Sequence, residues 1–552
     1  ISVSANIKER LDFSCALFDN EGNLTANAPN VPVHLGSMSA AIRYQLERWK
    51  DDLQDGDILC TNSPIVGGTH LPDITIISPV FFEGKIQFVV AARAHHSEIG
   101  GTAPGSSSSY AREIYEEGVN IESWKIVSKG KFDYDGLKEH FVEVPRSHGV
   151  SGTRNIDDNL SDLKAQIASN QRGINLLKEL FSEYGSETVL FYMRNIKKTA
   201  ESAVREFLKT YAAENKGRFP LTAVDYMDDG SRIQVKIDID EKSGSAVFDF
   251  TGTSLESYSN LNAPKSITYS TVIYVLRCLV NMDIPLNQGC LDPCTVIIPD
   301  NSLINPSKFA AVCAGNGMTS QRITDCLFKA FGLTSATGGC MNGLNFGTGG
   351  LDENGNMVKG YGYTETIGQG NCAGIIVKDG AKIGFNGFSG TQTNMTNTKI
   401  TDPEIFEQRY PVMLIQYAIR KNSGGKGKWR GGDGLVREIC FTSPVHVSLV
   451  TQRRVFSPWG VYGGEDGKRG INKLGRNRGN GFIQWIQLPS LAEISMRKGD
   501  ILWVATPGGG GFGKETDSDE YWGVATTMKK FIHIPISSGS IGAMQEAANT
   551  SQ

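Results

Sequence analysis

Gly67-Gly68-Thr69-His70-Leu71-Pro72-Asp73 and Ala94-His95-His96 flank two apolar runs, Ile74-Thr75-Ile76-Ile77 and Ile86-Gln87-Phe88-Val89-Val90-Ala91-Ala92. Both runs read as strands. Paired as a hairpin, they return His95 to the side of His70, 25 residues away along the chain. The 552 residues include only eight histidines, and three of them fall between positions 70 and 96, with Asp73 three residues after the first. Two imidazoles and a carboxylate suit a divalent metal of the zinc, manganese or iron class. Histidines at strand ends also serve as ordinary hydrogen-bonded polar residues, so spacing alone leaves both uses open. Gly67 and Gly68 allow the backbone to approach a ligand closely.

Outward from this stretch, residues 11–18 and 57–61 read as further strands, with a helix expected near 37–51. The polar run Gly100-Gly101-Thr102-Ala103-Pro104-Gly105-Ser106-Ser107-Ser108-Ser109 follows the histidine pair directly. Its position marks an active-site loop and its composition a surface linker. Between 156 and 215, apolar residues recur at helical spacing on both sides of Gly185, which predicts a helical hairpin. Arg154, Asn155, Asp157, Asp158 and Asn159 stand at its entrance, where Asp158 or Asn159 is expected to cap the first helix.

Beyond Arg218 the pattern turns to strands. Residues 232–240 alternate cleanly, and 246–250 pair with them across a hairpin-length turn. An apolar helix is expected at 266–282, and Ala314-Gly315-Asn316-Gly317-Met318-Thr319-Ser320-Gln321-Arg322 leads into another helix ending at Phe331. From there to about residue 435 the chain reads as loop and glycine; strands return at 445–452 and 501–505, and the last twenty residues read as a tail. The expected fold class is α+β, a mixed multi-layer architecture. It has an α/β N-terminal part (1–155), a helical hairpin insert (156–215), a mixed α/β central part (216–435) and a β-rich, glycine-rich C-terminal part (436–552).

With 55 basic and 59 acidic residues, a net charge of −4 offers no basic field for nucleic acid. No run of eighteen apolar residues exists, so no membrane span is predicted. Ten scattered cysteines without a CxxC, and no signal peptide, point to reduced thiols and a cytoplasmic setting. The chain opens at Ile1 immediately before an organised stretch, which predicts either a cut through a longer polypeptide or a missing start.

Two motifs tempt a nucleotide or anion reading. Gly508-Gly509-Gly510-Gly511-Phe512-Gly513-Lys514-Glu515 nearly matches a phosphate-binding loop, but Glu515 stands where a magnesium-binding hydroxyl belongs. Its glycines therefore either pack closely or offer amides to an anion. Gly424-Gly425-Lys426-Gly427-Lys428-Trp429-Arg430-Gly431-Gly432-Asp433-Gly434 is basic enough for an anion, though a solvated hairpin end accounts for its composition better.

Taken in order, several segments resemble the hydantoinase B/oxoprolinase family: Asp12-Phe13-Ser14-Cys15-Ala16-Leu17-Phe18-Asp19, Val31-Pro32-Val33-His34-Leu35-Gly36-Ser37-Met38 and the Gly67–Asp73 run. So do Ser151-Gly152-Thr153-Arg154-Asn155, Asp158-Asn159-Leu160-Ser161-Asp162-Leu163, Thr319-Ser320-Gln321-Arg322 and Thr506-Pro507 with the glycines after it. Pro285-Leu286-Asn287-Gln288-Gly289-Cys290-Leu291 and Thr401-Asp402-Pro403-Glu404-Ile405-Phe406-Glu407-Gln408-Arg409-Tyr410-Pro411-Val412 narrow the likeness to the C-terminal half of the eukaryotic-type, ATP-dependent 5-oxoprolinase branch.

The resemblance implies an ATP-dependent cyclic amide hydrolase that converts 5-oxo-L-proline to L-glutamate. Mg-ATP would be bound by a hydantoinase A-like partner half, fused or separate, and the hydrolytic step housed here. Carboxylase relatives carry a metal in the corresponding subunit, which implies His70, Asp73 and His95 as ligands. His34, His96 and Asp12 would complete the shell, and Arg154 and Arg322 are further candidates for metal or substrate contact. A homo-oligomer acting on a small molecule is expected, without nucleic-acid or membrane partners. Alternatives are a hydantoinase or ketone carboxylase with another substrate, and a catalytically silent scaffold. The chain departs from the family in Asn62-Ser63-Pro64, where relatives commonly show Asn-Asp-Pro or Asn-His-Pro. It also departs in Thr391-Gln392-Thr393-Asn394-Met395-Thr396-Asn397, which lacks a His-x-His before Met-Thr-Asn.

Overall fold

In the computed structural model, which describes residues 2–28, 31–105, 107–280, 284–378 and 381–524, the first seven strands form one antiparallel sheet. They are β1 (Phe13–Asp19), β2 (Leu24–Asn27), β3 (Ile58–Thr61), β4 (Asp73–Phe82), β5 (Lys85–His95), β6 (Trp124–Ser128) and β7 (Lys131–Phe132), in the order β2-β1-β5-β4-β3-β6-β7. The hairpin expected from the two apolar runs is β4–β5. Its two-residue turn is Glu83-Gly84, with φ of 52° and 76°, the type I′ geometry whose twist matches the flanking strands. Register follows from this turn and places Asp73 directly opposite His95. Leu11, with φ of 56°, interrupts the extended backbone, so β1 starts at Phe13 and not at residue 11.

Strand alternation gives this sheet two faces. Ile77, Val89 and Ala91 face the helix Pro32–Trp49, together with Met38 and Ile42 from that helix. The helix begins a turn earlier than expected because Pro32 occupies its first position, where a missing N–H costs nothing. On the opposite face Phe88 and Val90 meet Leu177 and Phe181 of the helical hairpin, Ile156–Tyr184 and Ser186–Glu214. Gln166 and Asn170 of the hairpin also donate side-chain N–H groups to carbonyls of β4 and β5. The expected capping residues are not the cap: Asn155 holds that position, and Asp157 and Asp158 lie in the first turn. Asn159 points inward to His96 and the Glu98 carbonyl.

A second sheet, β8 (Leu221–Tyr226), β9 (Arg232–Asp240), β10 (Ser245–Asp249) and β11 (Cys294–Ile297), carries the helices Lys265–Leu279 and Ser320–Phe331. Their shared core takes in Val31 and Val33, from the start of the Pro32–Trp49 helix. The remaining strands make a four-stranded sheet (Met357–Thr366, Gly343–Leu351, Val445–Val450, Leu491–Met496), a five-stranded sheet and a small hairpin. The larger two share one apolar core. Helices and mostly antiparallel sheets make the fold α+β.

Residues 332–435, expected as loop, hold five strands, among them Gly343–Leu351 and Met357–Thr366. Their glycines masked the alternation by leaving pleat positions without side chains. The expected tail at 533–552 lies outside the described residues, as do Ser106 and residues 281–282 of the expected helix.

The two glycine-rich motifs pack against each other. The amides of Gly508, Gly509, Gly510 and Gly511 donate to the carbonyls of Lys468, Gly432, Ala336 and Glu465, and those of Phe512 and Gly513 to Trp429 and Val461. No amide of that run is left for a phosphate, so close packing is the purpose of these glycines. The stretch 424–434 is not a solvated hairpin end either. A Cβ on Gly431 would stand 2.1 Å from the Gly509 carbonyl oxygen, and one on Gly509 1.9 Å from that of Asn371. Gly509→Ala is expected to lower stability by ~3 kcal/mol or more, because backbone has to move to admit the methyl. The denaturant midpoint measures this, and an unchanged midpoint would refute the packing role.

Candidate metal centre

The four residues before β4 form a tight turn, with the Asp73 amide donating to the His70 carbonyl at 3.1 Å. Asn62 fixes the turn. Its side chain donates to the carbonyls of Leu71 and Val119, both at 2.7 Å, and accepts the Ile121 amide. Gly67, with φ of 102°, lets backbone approach the Pro32–Trp49 helix rather than a ligand, since a Cβ there would lie 2.3 Å from the Ala41 amide nitrogen. Arg93 ties the pieces together. It donates to Thr75 on β4, Ser37 on the helix and the Gly67 carbonyl.

This scaffold brings His70, Asp73 and His95 to one point, all three buried, with one donor atom from each lying within 4.8 Å of the others. Asp73 Oδ2 is heavily engaged. His70 Nδ1 lies 2.9 Å away, Asn316 Nδ2 donates at 2.9 Å, His34 Nε2 lies at 3.2 Å, and the Thr69 hydroxyl donates as well. Asp73 Oδ1 is buried without a hydrogen-bond partner and lies 3.6 Å from His95 Nδ1. Burial opposes ionisation of Asp73, but the His70 and His34 rings overcome it and hold the carboxyl well below the usual carboxylate range. Burial, with His70 next to it, pushes His95 well below the ordinary imidazole value, so its ring is neutral.

An ionised carboxylate and a neutral imidazole are the protonation states that metal ligands require. Nitrogen and oxygen ligands held ~2.0–2.2 Å from one ion are themselves ~3–3.6 Å apart; His70 Nδ1 and His95 Nδ1 lie 2.9 and 3.6 Å from the two Asp73 oxygens, and one donor atom of each residue lies within 4.8 Å of the others. Asn316 also donates to His70 Nδ1, at 3.1 Å. The donor set and the unpartnered Oδ1 therefore fit a divalent metal.

His34 orients Asp73. Its Nδ1 lies 2.9 Å from the Ser14 hydroxyl, leaving Nε2 for the carboxylate. Asp12, at the start of β1, places Oδ2 3.6 Å from His95 Nδ1, and burial pushes its carboxyl up. His96 is not at the site. It follows His95 on the alternating chain, faces the helical hairpin, and has Gln166 and Asn159 on its two ring nitrogens.

Arg154 and Arg322 also lie elsewhere. Arg154 bridges Glu98 and the carbonyls of Gly101 and Gly349. Glu98 in turn accepts the amides of Gly100 and Gly105, which pins the polar run that composition assigned to a linker. Ser107 of that run lines the site cavity. Arg322 donates to the Tyr226 carbonyl within a buried charge network of Asp225, Arg453 and Asp325.

Beside the cluster is a cavity of about 50 Å³. Asn316, Cys313, Thr364, Thr396 and Arg10 contribute to its wall, and sequence reasoning assigned none of them a role. Asn316 had a legible signal, the Gly-Asn-Gly at the head of a helix. It sits in a π-helical turn, Gly315–Thr319, a distortion that recurs at functional sites. The segment leading into this turn is held by Glu117, whose Oε1 accepts the Val312 and Cys313 amides at 2.9 and 2.7 Å.

The chain belongs to the hydantoinase B/oxoprolinase family, whose model matches residues 1–515. It is 51% identical over 528 residues to 5-oxoprolinase 1 of Arabidopsis thaliana, an alignment covering 93% of this chain and 40% of that protein. The chain thus spans about two fifths of the length of the curated relatives it matches at this level. Among solved structures, nucleotide-free acetone carboxylase aligns with a TM-score of 0.77 at 18% identity, over 94% of this chain and 74% of that one. The ATP-dependent caprolactamase of Pseudomonas jessenii aligns with a TM-score of 0.75 at 21% identity, over 92% and 86%. These two likenesses show the shared fold. No helix among the described residues is long and apolar enough to cross a membrane.

Burial pushes the Glu117 carboxyl up to about 8, against the pull of the two amides it accepts. The unfolded chain therefore loses this proton first. Stability is expected to fall by on the order of 1.4 kcal/mol per pH unit as pH rises from 4.5 towards about 8. Glu117→Gln keeps the amide acceptor and should flatten that slope, as read by thermal unfolding across the range. Identical slopes would show that Glu117 ionises normally.

Proposed function

We propose that this chain is the hydrolytic part of an ATP-dependent 5-oxoprolinase, which opens 5-oxo-L-proline to L-glutamate. The observation that carries the reading is the convergence of His70, Asp73 and His95 beside a small buried cavity. It occurs in a chain half identical to a 5-oxoprolinase along nearly all its length.

An unstrained lactam is a poor electrophile. Phosphorylation of its amide oxygen makes the ring carbon attackable, and addition of water then breaks the ring C–N bond and releases phosphate. Two features support placing the ATP chemistry outside this chain. The cavity, at about 50 Å³, has room for a cation, a few waters and part of a small ring, not for a nucleotide. The Gly508–Gly513 amides are all paired within the fold. A hydantoinase A-like part binding Mg-ATP, fused to this chain or separate, would supply that step; the curated relatives are long enough to include one.

His70, Asp73 and His95 would hold a divalent transition metal, manganese, zinc or iron. When bound, such an ion supplies Lewis acidity that lowers the pKa of water and polarises a carbonyl oxygen. The residues of the chain have separable tasks. His34 and Asn316 fix the direction of the Asp73 carboxylate. Asp12 stands beside His95 as a further ligand or a proton acceptor. The apolar wall from Val31, Met318 and Met341 limits water around the ring. None of the ten cysteines forms a disulfide, which supports a reducing, cytoplasmic setting.

The test uses the complete enzyme containing this chain. It should carry one divalent transition metal per chain by elemental analysis and release glutamate and ADP together from 5-oxo-L-proline. Asp73→Ala should lower metal affinity ~100-fold or more and abolish glutamate formation. A metal-free protein whose His70→Ala variant still forms glutamate would overturn the proposal. Turnover of hydantoins or ketones in place of 5-oxo-L-proline would reassign the substrate.

A further inference from the structure

Among the described residues lining the cavity, Arg10 supplies the one cationic side chain. It is 1% exposed. Its guanidinium offers five N–H donors in a planar fork. Nη1 donates to the Thr364 carbonyl at 2.9 Å and Nη2 to Asp12 Oδ2 at 3.1 Å, while Nε–H is buried with no acceptor. Asp12 Oδ2 lies 3.6 Å from His95 Nδ1, so the guanidinium is one carboxylate removed from the proposed metal ligands. The remaining polar wall near Arg10 is neutral: Asn345, Thr364, Thr366 and Thr396, the last with a buried hydroxyl that has no partner.

The cavity wall points the same way: Asp12 and Asp73 lie beside the proposed metal ligands, and the guanidinium of Arg10 is left as the cationic group facing the rest of the space. Opening a lactam needs no charge on its ring. A fixed guanidinium held against the wall by Thr364, with donors to spare, is therefore explained by selection of an anion.

We propose that Arg10 is the specificity-determining residue that receives the ring-borne carboxylate of an anionic lactam and so favours it over neutral cyclic amides. This deepens the 5-oxoprolinase reading and rests on it. Thr364 fixes Nη1, and Asp12 orients the guanidinium through Nη2. The Nε edge and the second N–H of Nη2 supply the side-on pair of donors that suits a carboxylate. The lactam carbonyl would then point toward His95, which Asp12 Oδ2 links to the guanidinium by contacts of 3.6 and 3.1 Å.

The test compares 5-oxo-L-proline with its neutral analogue 5-oxo-L-prolinamide, by ADP and product release in the complete enzyme, for wild type, Arg10→Gln and Arg10→Lys. Metal content is measured in each. For Arg10→Gln, the ratio of kcat/KM between acid and amide should fall about 100-fold. The change should fall mainly in KM for the acid, with metal content and activity on the amide retained. Arg10→Lys, which keeps the charge without the fork, should fall between. If Arg10→Gln loses acid and amide activity in equal measure, or keeps the wild-type ratio, the assignment is wrong. Should Arg10→Gln fail to fold, Arg10→Lys decides by the same ratio. A wild-type enzyme that turns over neither lactam overturns the 5-oxoprolinase reading itself, a result distinct from an active enzyme whose discrimination ignores position 10.

Discussion

Asp73 is a carboxylate sealed inside the protein, and its two oxygens are treated unequally. Oδ2 is surrounded by His34, His70, Asn316 and Thr69, whereas Oδ1 has no hydrogen-bond partner. A buried ionised group is tolerated only when its surroundings replace the lost water. Here the replacements come from separate parts of the chain: the turn before β4, the first turn of the Pro32–Trp49 helix, and a π-helical turn more than two hundred residues downstream. The first sheet, the helix laid across it and the second core must all be in place before Asp73 can stay charged. The layered architecture is in this sense the support for one carboxylate.

The twofold alternation of a strand decides which histidine can take part. His95, Arg93 and Ala91 face the Pro32–Trp49 helix with Asp73, Thr75 and Ile77. His96 faces the hairpin helices and is held by Gln166 and Asn159. The adjacency of the two histidines in sequence therefore conceals an opposite placement in space. Arg154 and Arg322 mislead for a related reason. They stand in motifs rich in polar residues, but their partners are Glu98 in one case and the Asp225–Arg453–Asp325 network in the other, and both are structural.

Much of the frame was legible. The β4–β5 hairpin, the helical hairpin with Gly185 at its bend and the alternating β9 all follow from periodicity and turn chemistry. The convergence of His70, Asp73 and His95 was expected from spacing and family resemblance. Three things were not legible. The Gly-Asn-Gly setting marks Asn316, but its partner Asp73 is reached only through tertiary packing, which spacing along the chain does not encode. Arg10 and Thr364 meet across more than 350 positions, so neither carries a local mark. The strands of residues 332–435 were hidden because glycine, read as loop, here permits backbones to touch. The same closeness turns Gly424–Gly434 and Gly508–Gly513 from apparent anion loops into packed ridges with paired amides.

The cavity wall is therefore shared among segments that have little else in common: β1 and β4 with their preceding turns, the heads of two helices, an edge of the four-stranded sheet, and the stretch around Thr396. This distribution bears on charge. Within a low-dielectric wall, Asp12 and Asp73 repel each other, and Arg10 alone does not balance both. Neutral His95 adds a donor atom without adding charge. A divalent cation held at His70, Asp73 and His95 would satisfy Oδ1, separate the facing donor atoms and add positive charge to the cavity together. On this reading, metal binding and the attraction of an anionic substrate are not independent properties of the site. On the proposed function, an ion bound there would add the positive charge that favours the carboxylate proposed for Arg10, and the small cavity volume supports phosphorylation outside this chain.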